Sequence, residues 1–350
     1  MRILMTGHLG YLGSVMAARF VEAGHQVTGL DTGYFADCLF ISPLAAAAVP
    51  ELRRDLREVT PRELEGYDAV VHLAALSNDP LGNLNEDWTM SINHRASVRL
   101  AEQARAAGVG RFLFSSSCIM YGASAVAEVN EDSPLDPRTA YARSKVEAER
   151  GIAALAAPDF SPVFLRNGTV YGISPRMRFD TVLNNLTGAA VATGRVTVQG
   201  DGTPWRPVVH IEDVAQVFLA ALTAPRERIH NQAINAAAAS VNHQVIDLAR
   251  AVVGAVPGAR LECLGQPEAD RRTYKANFDK IARLLPDFRL RWTVEAGIAQ
   301  LVEHFQRRGL TEAEFHSPHF TRMKWLGGLV TEGRVDQSLR MLPDTEEVPA

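Results

Sequence analysis

Arg2-Ile3-Leu4-Met5-Thr6-Gly7-His8-Leu9-Gly10-Tyr11-Leu12-Gly13 opens the chain and decides how the rest is read. Residues 2–6 form an apolar run of strand length, and residues 11–23 carry helical spacing. Gly7, Gly10 and Gly13 fall between the two. Glycines there let the backbone turn tightly from strand to helix and approach a ligand closely. The helix start adds unpaired N–H groups and the positive end of its dipole, which suits a pyrophosphate. The segment therefore predicts a dinucleotide site on a Rossmann-type domain. His8 lies where only backbone is required, so its side chain is expected to point outward. Asp31 ends the next strand, at 25–30, where a carboxylate can accept ribose hydroxyls. It would repel a 2′-phosphate, and Thr32-Gly33-Tyr34 brings no arginine, so NAD is expected rather than NADP.

Working outward, strand candidates follow at 69–73, 111–115 and 163–166, with helices between them at 92–107 and 141–156. This alternation predicts the α/β class: a doubly wound Rossmann parallel sheet with a smaller C-terminal α/β substrate domain. Residues 1–172 plus about 205–235 are assigned to the NAD-binding domain. Residues 173–204 plus 236–305 are assigned to the substrate domain, with a helix at 181–193, a turn at 200–202 and a strand at 208–210. The remainder, 306–350, reads as a helical appendage with an acidic end at Glu346-Glu347. Its stretch 320–329 is amphipathic and is expected to dock on the body or on a partner subunit.

Composition removes several classes of function. A net charge of −4 without any polybasic run gives no footprint for nucleic acid. No apolar run approaches the roughly 18–20 residues of a membrane-spanning helix, and residues 3–5 are too short for a signal peptide core. The cysteines, Cys38, Cys118 and Cys263, are far apart and show no metal-ligand spacing. They suit a reducing, cytoplasmic compartment and no metal is expected.

Tyr141-Ala142-Arg143-Ser144-Lys145 sets a phenol and an ammonium four residues apart, on one face of a helix. A phenol is a poor base near neutrality until a nearby cation stabilises its phenolate. Upstream, Phe114-Ser115-Ser116-Ser117 ends a strand, where the Ser117 hydroxyl can hold the oxygen whose proton Tyr141 moves.

With these motifs the sequence resembles the extended short-chain dehydrogenase/reductases, the NAD-dependent epimerase/dehydratase family. The resemblance runs from Met1 to about residue 300. It is carried by residues 5–13, Asp55-Leu56, Val71-His72-Leu73-Ala74-Ala75, Asn93, residues 115–122 and Tyr141 with Lys145. Leu165-Arg166, Val170-Tyr171-Gly172, Arg206 and residues 209–214 complete it. It implies that Ser117 and Tyr141 handle the proton, while Lys145 grips the nicotinamide ribose and lowers the Tyr141 pKa. It implies further that Tyr11, Leu12, Asp31, Asp55, Leu56, Leu73, Ala74, Ala75 and Asn93 line the NAD site, and that the chain pairs as a homodimer through the helices at 92–107 and 141–156. A nucleotide sugar is the implied substrate. Arg206 falls where the family often meets its diphosphate, and Thr169 stands where a diphosphate-binding asparagine is common, with Asn167 two residues earlier. Asn184 and Asn185, Asp270, Arg271 and Arg272, and the paired Arg176 and Arg178 are further candidates for substrate contact.

Members of this family begin alike: a sugar hydroxyl loses its proton to the tyrosine and its hydride to NAD. A 4,6-dehydratase then needs an acid and a base directly after the serine. Here those positions are Cys118, read as a packing residue, and Ile119, and neither does that work. An epimerase needs no such pair, because its keto intermediate turns over and takes the hydride back on the other face. Epimerisation is therefore the expected reaction. The alternatives are a ketoreductase or dehydrogenase using external NAD(P)H on a keto-sugar or related polyol, a 4,6-dehydratase, and a non-catalytic NAD-binding protein. His210 is expected simply to pack under the substrate loop.

Overall fold

β1 (Arg2–Thr6) is buried from Ile3 onward on both faces, as a central strand of a parallel sheet must be. The computed structural model describes residues 1–43, 48–123, 128–265 and 273–342. On one side β1 pairs with β2 (Gln26–Asp31), which pairs with the short β3 (Glu51–Arg53). On the other it pairs with β4 (Ala69–His72), followed by β5 (Arg111–Ser117), β6 (Ser161–Asn167) and, last in the sheet, β10 (Gln232–Ala236). All of these pairs are parallel, in the order β10-β6-β5-β4-β1-β2-β3. The chain reverses its direction of winding between β1 and β4, and the crevice opens beyond their carboxyl ends.

Helices cover both faces of the sheet. Met16, Ala17 and Phe20 of helix Tyr11–Glu22 pack with Val217, Phe218 and Leu222 of helix Ile211–Thr223 on one face. Leu100 and Ala104 of Ala96–Ala106 pack with Ala148 and Ile152 of Ala140–Ala153 on the other.

A second core lies beyond the crevice. β7 (Thr169–Tyr171), β9 (Trp205–His210) and β11 (Asn242–Gln244) make a three-stranded sheet, and β8 (Arg195–Val198) pairs with β12 (Arg260–Cys263). Helices Val182–Thr193, Val245–Ala255 and Val294–Arg308 close over these strands. The ring of Phe40, sent across from the loop after β2, is met edge-on by Phe179, Phe305 and Phe320.

After residue 308 the chain turns back to the crevice. Leu326 and Leu329 of helix Arg322–Thr331 pack on Leu76, Leu81 and Ile92. Among the described residues no helix is long and apolar enough to cross a membrane, and no group of three His, Cys, Asp or Glu could hold a metal ion. Asp270, Arg271, Arg272 and the Glu346-Glu347 end fall outside the described residues.

Candidate active site

The glycine loop shows why its residues have no side chains. Gly7 has φ +73°, and a Cβ there would stand 2.7 Å from the Ala74 nitrogen. A Cβ on Gly13 would stand 2.1 Å from the Gly7 carbonyl oxygen. Helix Tyr11–Glu22 starts at Gly10 with no side chain capping it, so its first N–H groups are left for an anion. Gly10, Leu12, Leu56, Leu73, Ala74 and Ala75 line the same cleft. Asp31 faces it from the end of β2, its carboxylate accepting from Leu9 N at 3.1 Å and Gly33 N at 2.8 Å. Burial raises its pKa, opposed by these two N–H groups and by nearby cations. This backbone cradle with a carboxylate at its far end fits a dinucleotide.

Ser117, Tyr141 and Lys145 converge on the cleft from β5 and helix Ala140–Ala153. Thr139 caps that helix through Ala142 N at 3.1 Å, which sets Tyr141 in its first turn. Burial pushes the Tyr141 phenol up to about 12, with the Asp79 charge adding to it. Arg178 and a hydrogen bond with Ser117 pull the other way. Lys145 is almost fully buried; its Nζ donates to the Ser115 carbonyl at 2.7 Å and lies 4.7 Å from the centre of the Phe114 ring. Burial lowers its pKa to about 8, still above neutrality.

Several expected residues stand elsewhere. Asn93 is fully buried behind the cleft wall, where its amide takes Leu76 N at 2.8 Å and gives to Leu76 O at 2.9 Å. It shapes the wall rather than lining it. Asn185 points away, donating to Phe179 O at 2.9 Å on the outer side of its helix. One residue is about 100° of helical turn, and Asn184 is the inward one. Asn184 accepts from Gly172 N at 3.0 Å and donates to the Tyr11 hydroxyl at 3.0 Å and Arg178 O at 3.1 Å. Tyr11 in turn donates to Gly172 O at 2.7 Å, so its hydroxyl ties the phosphate loop to the second core. His8 is buried, not outward: its ring fills the space over Gly29, where a Cβ would meet it at 2.3 Å, and Nε2 lies 3.2 Å from Glu51.

Asp55 lines the cleft while its carboxylate is paired with Arg57 at 2.5 Å. Thr169 and Arg206 also line it, and Arg206 donates to Trp205 O at 3.0 Å. Arg178 reaches in from the loop before helix Val182–Thr193, paired with Asp180 at 2.5 Å and donating to Ser77 Oγ at 2.9 Å. Arg176 is buried beside it and does not line the cleft. His210 stacks on Trp292 at 3.9 Å and bonds Gln300 at 2.9 Å, away from the cleft. Cys118 is fully buried with its thiol pushed up to about 12, whereas Ile119 faces the cleft. Sequence reading missed Ser77, Asn78 and Arg322, which also line it. Arg322 carries no local signal because it arrives from the end of the chain.

A profile of the NAD dependent epimerase/dehydratase family matches residues 3–237. The chain belongs to this family. It is 32% identical over 279 residues to a UDP-glucose 4-epimerase of Corynebacterium glutamicum, covering 73% of this chain and 81% of that one. To a UDP-glucose 4-epimerase of Erwinia amylovora it is 28% identical over 328 residues, covering 86% and 96%. Among solved structures it is similar to TunA, described as an NAD dependent NDP-hexosamine 5,6-dehydratase, with TM-score 0.78 and 26% identity over 88% of this chain and 99% of that one. It is also similar to MoeE5 in complex with UDP-glucose and NAD, with TM-score 0.76 and 27% identity over 89% and 100%. As a member of the epimerase/dehydratase family the protein is an NAD-dependent enzyme of the extended short-chain dehydrogenase/reductase type, with the parallel sheet that type requires.

Proposed function

We propose that this enzyme is a nucleotide-sugar epimerase that oxidises a sugar hydroxyl transiently and restores it with inverted configuration. The observation that carries the reading is the pair of positions after Ser117. Cys118 is turned into the core and Ile119 faces the cleft, so the reaction centre offers hydroxyls for one proton and no adjacent acid and base for elimination. The UDP-glucose 4-epimerase relatives support the same choice.

Bound NAD supplies the acceptor and donor for the carbon-bound hydrogen. The chain supplies the rest. Ser117 holds the reacting oxygen and relays its proton to Tyr141, and the Lys145 ammonium, one helical turn away, stabilises the phenolate. Asp31 takes the adenosine ribose hydroxyls, the loop from Gly7 to Gly13 takes the diphosphate, and Asp55 and Leu56 flank the adenine. Thr169 and Arg206 face the substrate from β7 and β9 across the cleft, and Arg206 suits a diphosphate through its forked donors. We assign residues 1–172 and 205–235 to the NAD-binding part and 173–204 and 236–305 to the substrate part, with β7 and β9, at the borders of the first, pairing with β11 in the second core. The outer faces of helices Ala96–Ala106 and Ala140–Ala153, which carry Arg99, Glu102 and Arg150, are assigned to a homodimer contact.

The test is direct. The purified protein is denatured and the released dinucleotide identified, and the native protein is incubated with UDP-glucose and other nucleotide sugars while epimeric products are separated. Near-stoichiometric NAD with interconversion of C4 epimers supports the reading. An empty protein that consumes added NADPH or NADH on a keto-sugar replaces it with a ketoreductase, and an unsaturated or deoxy product replaces it with a dehydratase.

A further inference from the structure

The C-terminal appendage lies beyond residue 237, where the match to the family profile ends. Yet the appendage crosses the mouth of the cleft. On the substrate side, Phe320 O accepts from Phe179 N at 2.8 Å and Arg322 N donates to Asp180 at 3.3 Å. On the adenosine side, Trp325 donates to Tyr34 O at 2.6 Å, and Arg57 donates to Ser338 O at 2.6 Å and Leu339 O at 3.0 Å. Between these anchors Arg322 is 2% exposed and enters the cleft, its guanidinium 4.6 Å above the Phe35 ring and donating to Arg176 O at 2.6 Å.

Arg322 joins a buried set of arginines, Arg176 and Arg178, that is not fully satisfied by hydrogen bonds. Arg178 is 6% exposed and Arg176 8%, and the carboxylate beside Arg178 and Arg322 is that of Asp180. Arg178 Nη2 and Thr181 Oγ1 are buried and make no hydrogen bond, and both residues line the cleft. Thr181 stands at the start of the twelve-residue helix Val182–Thr193 and leaves its N–H groups without a side-chain cap. Buried guanidinium donors without partners are costly, and an anion removes that cost.

We propose that Arg322, carried in by the appendage, forms with Arg178 and Thr181 an anion receptor for phosphoryl oxygens of a ligand in the cleft. The receptor rests on the cleft being the nucleotide-sugar site proposed above, but its test needs no turnover. The oxygens come either from the dinucleotide diphosphate or from the substrate. The receptor makes the appendage a working wall of the site, supplied from beyond the residues that the family profile matches.

The experiment uses the full chain and its Arg322→Gln and Arg322→Lys variants, with Lys324→Gln on the exposed side of the same helix as control. Folding is checked by circular dichroism and thermal melting, and binding of NAD and of UDP-glucose is measured by calorimetry in cofactor-stripped protein. Arg322→Gln is expected to weaken one of the two by about tenfold or more, with Arg322→Lys between it and the parent and Lys324→Gln unchanged. Loss confined to NAD assigns the receptor to the dinucleotide diphosphate, and loss confined to UDP-glucose assigns it to the substrate. A folded Arg322→Gln protein that binds both ligands within twofold of the parent overturns the proposal. If Arg322→Gln does not fold, Arg322→Lys decides: a loss of threefold or more for either ligand supports the receptor, and a smaller one overturns it. Epimerase activity enters none of these outcomes, so the failure of the proposed reaction would leave them readable.

Discussion

Lys145 and Tyr141 lie one helical turn apart, with the ammonium 5.8 Å from the centre of the phenol ring and donating to the Ser115 carbonyl rather than to the phenol oxygen. Both groups line the same cleft. Tyr141→Phe keeps the ring and removes the proton carrier. Turnover should fall by about 100-fold or more while NAD stays bound. Retained turnover would remove Tyr141 from the mechanism.

Asn184 and Asn185 separate a positioning role from a surface one. Asn184→Ala strips partners from Gly172 N, the Tyr11 hydroxyl and Arg178 O, all buried. It should cost about 1–3 kcal/mol in denaturant unfolding and loosen the phosphate loop, weakening NAD binding. Asn185→Ala, on the exposed side, should cost below about 1 kcal/mol and leave activity intact. The opposite ranking would show that the helix register matters less than argued.

Asp31 is the lever on cofactor choice. Its charge at the end of β2 should hold NADP away, so Asp31→Ser is expected to raise the NADP-to-NAD affinity ratio by about tenfold or more. Dissociation constants of both dinucleotides, measured by fluorescence on parent and variant, check this. An unchanged ratio would place discrimination elsewhere.

Acid should destabilise the fold through two histidines. His72 lies between Thr6 Oγ1 at 2.6 Å and Ser97 Oγ at 2.8 Å, and burial lowers its pKa from 6.5 to about 3. Burial likewise lowers His210 to about 4, opposed by its bond to Gln300. Both stay neutral in the fold but protonate near 6.5 in the unfolded chain. The unfolded state therefore binds more protons below pH 6.5, and stability falls as the pH drops from there towards 4. Each contributes about 1.4 kcal/mol per pH unit in that window. His210→Gln should flatten the dependence of unfolding free energy on pH between 6 and 4.5; an unaltered slope would count against a neutral buried ring.

The sequence by itself determined the first strand–loop–helix, the parallel alternation, NAD and the family. Each of these rests on local requirements: glycine where a Cβ collides, period-2 and period-3.6 burial, and a hydroxyl, phenol and ammonium at fixed spacing. What local pattern could not determine was direction. A helix of amides does not announce which of two neighbours faces inward: Asn184 and Asn185 are equal candidates in the sequence, and the fold turns Asn184 inward and Asn185 out. Asn93 and His8 were misplaced for the same reason, because a polar side chain can serve a wall as well as a ligand. Only the tertiary structure decided that the last described residues return to the cleft and deliver Arg322 beside Arg178, 144 positions earlier in the chain. That contact depends on Leu326 and Leu329 finding Leu76, Leu81 and Ile92. Burial of apolar surface between distant segments has no signature in either segment alone.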